Sequence, residues 1–209
     1  MTRSSASTPG ISSVTTQLNY LKMNKKVNLG SRLALYPTPV TVIGADVDGR
    51  LNWLLISHVG IVSHDRVLVS MAKAHYTTPA LGVGKRMSLN LVSPEMLEKV
   101  DYVGSVDGDK EDKSKVFEYH RGEAGTAVID EAPLTMELEI VDVYECNGFN
   151  NFICSIANTY VNEDRLDAEG KIDYNKMHTV LFEFPTYSYI LSGDIIGKCR
   201  KMHDHWNEK

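Results

Sequence analysis

Short apolar segments of strand length, separated by turn residues, run through most of this sequence. Between Met87 and Leu91, apolar side chains alternate with polar ones, which is the period of a strand with one buried face. Asp48-Gly49 lies between two such segments and is typical of a hairpin turn. The sequence has no βαβ rhythm and no GxGxxG motif, so a Rossmann sheet is disfavoured. About seven or eight such segments, with inserted helices, predict a mainly β fold, a closed or nearly closed antiparallel barrel.

The predicted strands differ in how they enter the fold. Pro37 and Pro39 restrict the first strand to an edge or a bend. Within residues 135–145 the alternation changes phase near Ile140-Val141, which predicts a β-bulge or strong coiling. Strands are predicted at residues 33–47, 51–57, 66–71, 87–92, 135–145, 151–162, 178–184 and 187–191.

Helices are predicted from capping residues and apolar stripes. Thr78 and Pro79 predict the N-cap and the first residue of a short helix after the third strand. A longer helix is predicted to follow the N-cap Ser93 and to end at Gly104. A short helix is predicted around Lys113. A C-terminal helix is predicted from a stripe formed by Ile195, Cys199, Met202 and Trp206.

Composition limits the class of protein. The chain has 209 residues, of which 43% are hydrophobic, and this suits one domain with a buried core. Residues 1–17 are rich in Ser and Thr and aperiodic, so we expect a flexible N-terminal arm before a single domain at residues 18–209. The net charge of -5 and the lack of a basic run argue against a nucleic-acid partner.

Several features predict a cytoplasmic protein. No segment approaches the roughly 20 apolar residues of a membrane span, so no membrane partner is expected. The first ten residues, MTRSSASTPG, lack the apolar block of a secretory signal. The 3 cysteines are widely spaced and form no CxxC pair, which favours reduced thiols over a disulfide framework or a zinc site.

The segment from Ser70 to Thr78 concentrates hydroxyl groups and a cation directly after an apolar strand. Together with a following helix start, it can collect hydroxyl donors, the Lys73 ammonium and free backbone N–H groups at one point. A phosphate monoester needs this set of donors. An ordinary polar loop with a capping threonine has the same local pattern, so from these residues alone both interpretations stay open.

The segment NWLLISHVGIVS, residues 52–63, sets polar side chains among apolar ones. Asn52 and Ser57 can supply amide and hydroxyl groups inside an apolar slot, as an isoalloxazine ring requires. A buried strand with satisfied polar groups is the alternative interpretation. We interpret His58 as a contact to such a ring and not as a catalyst, because a lone histidine beside an apolar strand is more often structural than a proton donor or acceptor.

Other kinds of site fit the sequence poorly. His203 and His205 do not share a helix face, so they make a poor metal chelate. The acidic segment 107–112 lacks the spacing of a calcium loop and carries interleaved lysine. No GxSxG motif marks a nucleophile. We therefore predict no metal site and no catalytic side chain.

Six short motifs resemble the flavin reductase-like FMN-binding split-barrel family, which includes the flavoredoxins. The resemblance spans residues 33–197 and rests on YPTPVTVIGA (36–45), NWLLISHVGIVS (52–63), SMAKAHYTT (70–78), SLNLVSPEML (88–97), DYVGSVDGDKEDK (101–113) and the region of DEAPLTMELEIVDV (130–143). Because the motifs occur in the family's order and spacing, they favour the phosphate and ring interpretations over the two alternatives.

The resemblance implies an antiparallel, Greek-key-like split β-barrel that forms a homodimer and binds FMN, in preference to FAD, near the subunit interface. It implies that the flavin accepts hydride from NAD(P)H and passes electrons to an acceptor whose identity the sequence does not give. The residues implied to contact the cofactor are Thr38, Val40, Thr41, Asn52, Leu54, Leu55, Ser57, His58, Ser70, Lys73, Tyr76, Thr77, Thr78 and Lys113. Those implied to hold the phosphate and ribityl chain are Ser70, Lys73, Tyr76, Thr77 and Thr78, with Lys113 as a second cation.

This chain departs from its relatives at positions that affect the cofactor more than the fold. Leu55 stands where relatives often carry Thr, and His58 stands where they often carry Trp. Lys73 replaces a frequent Arg and keeps its charge but not its bidentate geometry. Two alternatives to a reductase therefore stay open: a flavoredoxin-like electron carrier without NAD(P)H activity, and a barrel that has lost its cofactor.

Overall fold

The computed structural model describes residues 26–202. Contacts between Cα atoms divide the chain into two compact units, Met1–Ala34 and Leu35–Lys209. Residues 26–34 of the first unit contain no helix or strand. The predicted arm at residues 1–17 lies outside the described residues, so the boundary with the domain at 18–209 stays a prediction.

The second unit is built mainly from β-strands. Every strand pair in it is antiparallel, as the sequence predicts. The strands are β1 (Thr38–Pro39), β2 (Thr41–Val47), β3 (Arg50–Ile56), β4 (Val59–Ser63), β5 (Arg66–Ala72), β6 (Arg86–Leu91), β7 (Tyr119–Arg121), β8 (Ala127–Ile129), β9 (Leu134–Cys146), β10 (Phe149–Val161), β11 (Val180–Glu183) and β12 (Ser188–Leu191).

The strands form three sheets. A 7-stranded sheet has the order β3-β2-β6-β9-β10-β5-β4. A 3-stranded sheet has the order β1-β11-β12, and β7 pairs with β8 in a 2-stranded sheet. The order of the large sheet brings β5 beside β10, so segments far apart in sequence become neighbours.

Two local predictions about the large sheet are confirmed. Asp48 and Gly49 have φ of 51° and 79°, which is the conformation of a type I′ hairpin turn, and Val47 pairs with Arg50 across it. The phase change in β9 is a β-bulge, because Val141 is skipped between the partners of two successive β10 residues.

Strands β2 and β3 of the large sheet are buried on both faces, which explains why they read as nearly continuous apolar runs. Along β2, Val42 belongs to one core cluster and Ile43 to the other. Along β3, Trp53 and Leu54 divide in the same way. Successive side chains of a strand point to opposite faces, so each strand contributes to both clusters.

Two α-helices occur among residues 26–202: α1 (Leu97–Ser105) and α2 (Tyr174–Met177). A 3₁₀ turn over Pro94–Met96 leads into α1, so the predicted start after Ser93 is confirmed, and the helix ends one residue past Gly104. Val100 and Val103 of this helix are buried and belong to the core. Two further 3₁₀ turns span Thr78–Ala80 and Glu163–Arg165.

Of the other three helix predictions, one is confirmed in part and two are wrong. A short helix does follow β5, but it is a 3₁₀ turn over Thr78–Ala80, and its N-cap is Thr77 and not Thr78. The Thr78 hydroxyl donates to the Ala72 carbonyl at 2.8 Å. Lys113 lies in irregular backbone held by its own side chain and not in a helix. Residues 193–202 contain no helix, and the predicted stripe residue Trp206 lies outside the described part of the chain.

The sequence prediction also missed strands. β4 was not predicted, although β4 and β5 form a hairpin with a register shift between Ile61 and Ser63. β7 and β8 were missed because each has only 3 residues. Within residues 26–202, no helix is long and apolar enough to cross a membrane.

Candidate functional site

Two adjoining cavities open beside the ends of β3 and β5. The first, called here the apolar cavity, has a volume of about 410 Å³. Its walls come from β3, β5, α1, β10 and the β11–β12 hairpin, and they include Leu55, His58, Ser70, Phe149, Phe182 and Tyr189. This volume lies within the range of roughly 300 to 1,000 Å³ that is usual for small-molecule sites.

The second, called here the polar cavity, has a volume of about 270 Å³. It lies between β3, the turn after β5 and the loop after α1, and its walls include Asn52, Tyr76, Thr77, Val106, Gly108 and Lys113. Leu55, His75 and Gly104 line both cavities. The two cavities therefore form one site with an apolar part and a polar part.

Lys113 is the buried cation of the polar cavity. Only 2% of the residue is exposed, and its Nζ donates to the Val103 carbonyl at 2.9 Å and to the Val106 carbonyl at 3.1 Å. These carbonyls lie at the C-terminal end of α1, where the helix dipole favours a positive charge. An ammonium has three N–H donors, so one donor is left for a ligand. Burial lowers the pKa of Lys113, and the nearby Asp107 opposes this shift.

Hydroxyl groups lie beside this ammonium. Asn52 Nδ2 donates to Thr77 Oγ1 at 2.8 Å, and both residues are buried. Because Thr77 Oγ1 accepts that bond, its own proton stays available to a ligand. The Tyr76 side chain lines the same cavity. The polar cavity thus combines one buried cation with hydroxyl donors, which are the groups that bind phosphate.

The loop after α1 is held tightly over the polar cavity. Arg50 Nη2 donates to the Gly108 carbonyl at 2.9 Å, and its guanidinium lies 5.9 Å from the centroid of the Tyr76 ring. A Cβ atom at Gly108 would come within 2.5 Å of Asn52 Oδ1 and 2.9 Å of Tyr76 Cδ1. Only glycine allows this approach, so the sequence sets the position of the loop and of Lys113 in it.

Aromatic side chains form one wall of the apolar cavity. Phe182 packs against Tyr189 with ring centroids 5.6 Å apart, and Phe184 lies 4.8 Å from Tyr187. On the opposite side, the His58 and Phe149 rings are 5.9 Å apart. Such a wall can contact a planar, largely apolar ring system.

The structure brings together nine of the residues that the sequence assigns to the cofactor. Leu55, Ser57, His58 and Ser70 line the apolar cavity. The predicted residues that line the polar cavity are Asn52, Leu54, Leu55, Tyr76, Thr77 and Lys113.

Five predicted contact residues line neither cavity. Val40 is fully buried in a core cluster, and the Thr41 hydroxyl donates to the Ile56 carbonyl at 2.6 Å. The Thr78 hydroxyl likewise donates to a backbone carbonyl, that of Ala72. Thr38 Oγ1 is buried without a hydrogen-bond partner among the described residues. Lys73 is exposed, and its Nζ lies 3.0 Å from Glu145 Oε2.

The sequence interpretation missed several residues of the site. The sequence assigns no role to His75 within the segment from Ser70 to Thr78, although His75 lines both cavities. Phe182 and Phe184 of the aromatic wall lie in the predicted strand at residues 178–184, which the sequence does not assign to the site. A second run of aromatic residues, Tyr187 and Tyr189, follows directly and was the available signal.

Within residues 26–202, no group of three or more His, Cys, Asp or Glu side chains could hold a metal ion. His203 and His205 lie outside these residues. Cys146, Cys154 and Cys199 are free thiols.

Comparison with known proteins assigns the family. Residues 33–182 match the flavin reductase like domain. No curated protein matches. A flavoredoxin from Methanosarcina acetivorans is 31% identical, with a TM-score of 0.81 over 87% of this chain and 99% of that one. A flavoredoxin of Desulfovibrio vulgaris (Miyazaki F) is 29% identical, with a TM-score of 0.77 over 85% and 99%.

A third solved structure, an FMN-binding protein from Thermus thermophilus with bound 1-cyclohex-2-enone, is 21% identical. Its TM-score is 0.68 over 81% of this chain and 96% of that chain, and at this identity the likeness concerns the fold. The predicted split-barrel fold is confirmed by these structural matches. The extent of the domain match shows that this chain belongs to the flavin reductase-like family.

Proposed function

We propose that this chain binds FMN across the two cavities and acts as a flavin reductase. The observation that carries the proposal is the buried Lys113 ammonium at the end of a site whose other part is apolar. FMN has the matching shape and chemistry, since a flat ring system and a phosphate lie at its two ends. The donor set of the polar cavity fits that phosphate.

In this assignment the chain supplies binding and orientation. Lys113, Thr77 and Tyr76 hold the phosphate, and Leu55 with the aromatic wall holds the ring. Bound FMN would supply the chemistry, by accepting a hydride from NAD(P)H and passing electrons to a second acceptor. No side chain has to act as an acid or a base. Leu55 and His58 shape the ring part and keep water from it.

The charges around the polar cavity favour FMN over FAD. Asp107 and Asp109 line the same cavity as Lys113. Asp107 is already paired with Lys110, with Oδ2 and Nζ 2.6 Å apart. A second phosphate group would therefore meet carboxylates and not an available cation. We propose FMN as the cofactor on this ground.

A titration with FMN, FAD and riboflavin tests this assignment. The absorbance of the bound flavin after desalting reports retention, and we expect it to be strongest with FMN. Equal affinity for FMN and riboflavin would show that the polar cavity does not bind the phosphate. Release of all flavin into the flow-through would contradict the proposal and favour a family member without a cofactor.

A flavoredoxin-like electron carrier is the second candidate, favoured by the 31% identity to a flavoredoxin. Anaerobic mixing of the FMN-loaded protein with NADH or NADPH discriminates the two. Rapid bleaching of the flavin absorbance is expected for a reductase. A bound flavin that stays oxidised with both nucleotides, yet bleaches with dithionite, would identify a carrier. The nucleotide that bleaches the flavin faster would be identified as the preferred hydride donor.

We also propose that the protein is a cytoplasmic homodimer, on the basis of the family resemblance. Exposed apolar side chains in the second unit, such as Ile61 at 89% and Ile196 at 96% exposure, are consistent with a further contact surface. Light scattering coupled to size exclusion should give twice the monomer mass. A monomer mass at micromolar concentration would reject the dimer without affecting the FMN assignment.

A further inference from the structure

His75 lies where the apolar and polar cavities meet. It belongs to the turn after β5, is half-buried, and lines both cavities. The residues assigned above to the phosphate, Lys113 and Thr77, line the polar cavity only. A side chain at this junction can reach a ligand that passes from one cavity into the other.

The surroundings of His75 disfavour protonation of its imidazole in the absence of a ligand. Burial is the main cause that lowers the pKa of His75 from its ordinary value of 6.5, and the Lys113 charge lowers it further. Asp107 opposes this effect but is itself paired with Lys110. The other titratable side chains on the walls of the two cavities are His58, Tyr76, Asp101, Asp109, Tyr187 and Tyr189.

A phosphate in the polar cavity would reverse this balance. Its negative charge would neutralise the Lys113 ammonium that now disfavours an imidazolium. It would also give the imidazolium a partner of opposite charge, and charge-assisted hydrogen bonds to phosphate are among the stronger polar contacts in proteins. Both effects raise the pKa of His75 in the complex.

We infer that His75 is a phosphate-binding residue of this site and takes up a proton from solvent when the phosphate of FMN binds between it and Lys113. The inference rests on the proposed function, because it requires FMN in the two cavities. It adds a contact residue and a proton to that assignment. Riboflavin, which lacks the phosphate, should bind without this proton.

Isothermal titration calorimetry of FMN at pH 7.5, in phosphate-free buffers of different ionisation enthalpy, tests the inference. The slope of the observed enthalpy against the buffer enthalpy gives the number of protons exchanged. We expect uptake of roughly half to one proton for each FMN bound, and close to none with riboflavin. Most of the FMN phosphate is already dianionic at this pH, so the ligand contributes little.

Two variants identify the group that takes up the proton. His75→Gln should abolish the uptake while FMN still binds, because Lys113 remains. His64→Gln changes an exposed histidine outside both cavities and should keep the wild-type proton number. Equal proton numbers for the wild type and His75→Gln, with FMN bound in both, would overturn the inference and leave the proposed function standing. A lack of FMN binding by the wild type would overturn both.

The pH dependence gives a second measurement that needs no variant. Since the pKa of His75 is low in the free protein and raised in the complex, FMN affinity should fall as pH rises above neutrality, by up to roughly tenfold per pH unit. The affinity for riboflavin should change little over the same range. Parallel curves for FMN and riboflavin would contradict a proton linked to the phosphate.

Discussion

At the residue scale, the two lysines that the sequence offers for a phosphate differ in what surrounds them. Lys73 is exposed and forms an ion pair with Glu145. Lys113 is buried, and within residues 26–202 its Nζ donates to two backbone carbonyls, which leaves one N–H donor for a ligand. A buried ammonium in a cavity binds an anion more strongly than a solvated one, because water screens the exposed charge.

Replacement of each lysine by methionine measures this difference. We expect Lys113→Met to weaken FMN binding about tenfold to a hundredfold, the effect of one charge-assisted hydrogen bond, with riboflavin affinity unchanged. Lys73→Met should bind both ligands like the wild type. Fluorescence titration gives the two dissociation constants. If Lys73→Met alone lost affinity for FMN and kept its affinity for riboflavin, the phosphate would bind near Lys73 and not near Lys113.

Glu137 is a buried carboxylate with a structural role. It is fully buried and accepts hydrogen bonds from the Ala124 and Thr126 amides, the Thr126 and Tyr160 hydroxyls and the Asn158 amide. Burial alone would raise its pKa, but these donors outweigh burial and lower the pKa from 4.5 to about 2. Glu137 thereby fixes the turn between β7 and β8 to β9 and β10.

The lowered pKa of Glu137 predicts a pH-dependent contribution to stability. The contribution is present above the unfolded-state pKa near 4.5 and is lost as pH falls towards 2. We expect Glu137→Gln to lower the free energy of unfolding by about 3 kcal/mol at pH 7, and the difference from the wild type to shrink below pH 4.5. Urea unfolding across this range measures both curves. The exposed Glu123→Gln is the control, and a difference for Glu137→Gln that stays constant with pH would disprove the charge effect.

At the element scale, β2 is an interior strand of the large sheet, and its packing between β3 and β6 requires a glycine. Gly44 pairs with Trp53 on β3 and with Ser88 on β6. A Cβ atom at Gly44 would overlap the Trp53 ring and come within 2.7 Å of Ser88 Oγ. The Trp53 side chain is fully buried, so it has no room to move.

Alanine at two glycines tests this packing. Gly44→Ala should lower the free energy of unfolding by about 2 to 3 kcal/mol, the cost of overpacking a core. Gly60→Ala on β4 is the matched control, since a Cβ atom there meets nothing within 4 Å, and its effect should stay within about 0.5 kcal/mol. Denaturant midpoints report both values. Equal effects would show that the Trp53 ring yields to the extra methyl group.

At the scale of the whole molecule, the site joins segments that are far apart in sequence. The apolar cavity has walls from β3, β5, α1, β10 and the β11–β12 hairpin. A ligand that contacts all of them should stabilise the domain as a unit, because it binds the folded state alone. The exposed β11–β12 hairpin should gain the most stability, since the flavin ring is proposed to lie against Phe182 and Tyr189.

This effect is measurable without enzyme activity. At a free FMN concentration about one hundred times the dissociation constant, we expect roughly 2.7 kcal/mol of added stability and a rise in Tm of several degrees. Hydrogen exchange should show new protection of the Ser188–Leu191 amides. Protection confined to other strands would place the flavin ring away from the aromatic wall.

Local sequence patterns were sufficient for the antiparallel strands, the turn at Asp48-Gly49, the bulge in β9 and the start of α1. These features depend on neighbours in the chain, on alternation, capping and backbone preference, so a single sequence contains their signal. The predicted C-terminal helix is absent from residues 193–202, because helical spacing of apolar residues does not by itself supply a surface for them to pack on.

The arrangement of the site depends on contacts between distant segments. Burial of Lys113 requires the end of α1 to offer its carbonyls, and the place of His75 between two cavities requires β3, β5 and α1 to meet. The pairing of Lys73 with Glu145 likewise depends on the sheet order, because β10 lies between β5 and β9 and brings the end of β9, where Glu145 lies, close to Lys73. The sequence shows which side chains can donate hydrogen bonds to a ligand. Their orientation and charge state depend on which segments pack together, because packing decides how deeply each group is buried and which charges lie near it.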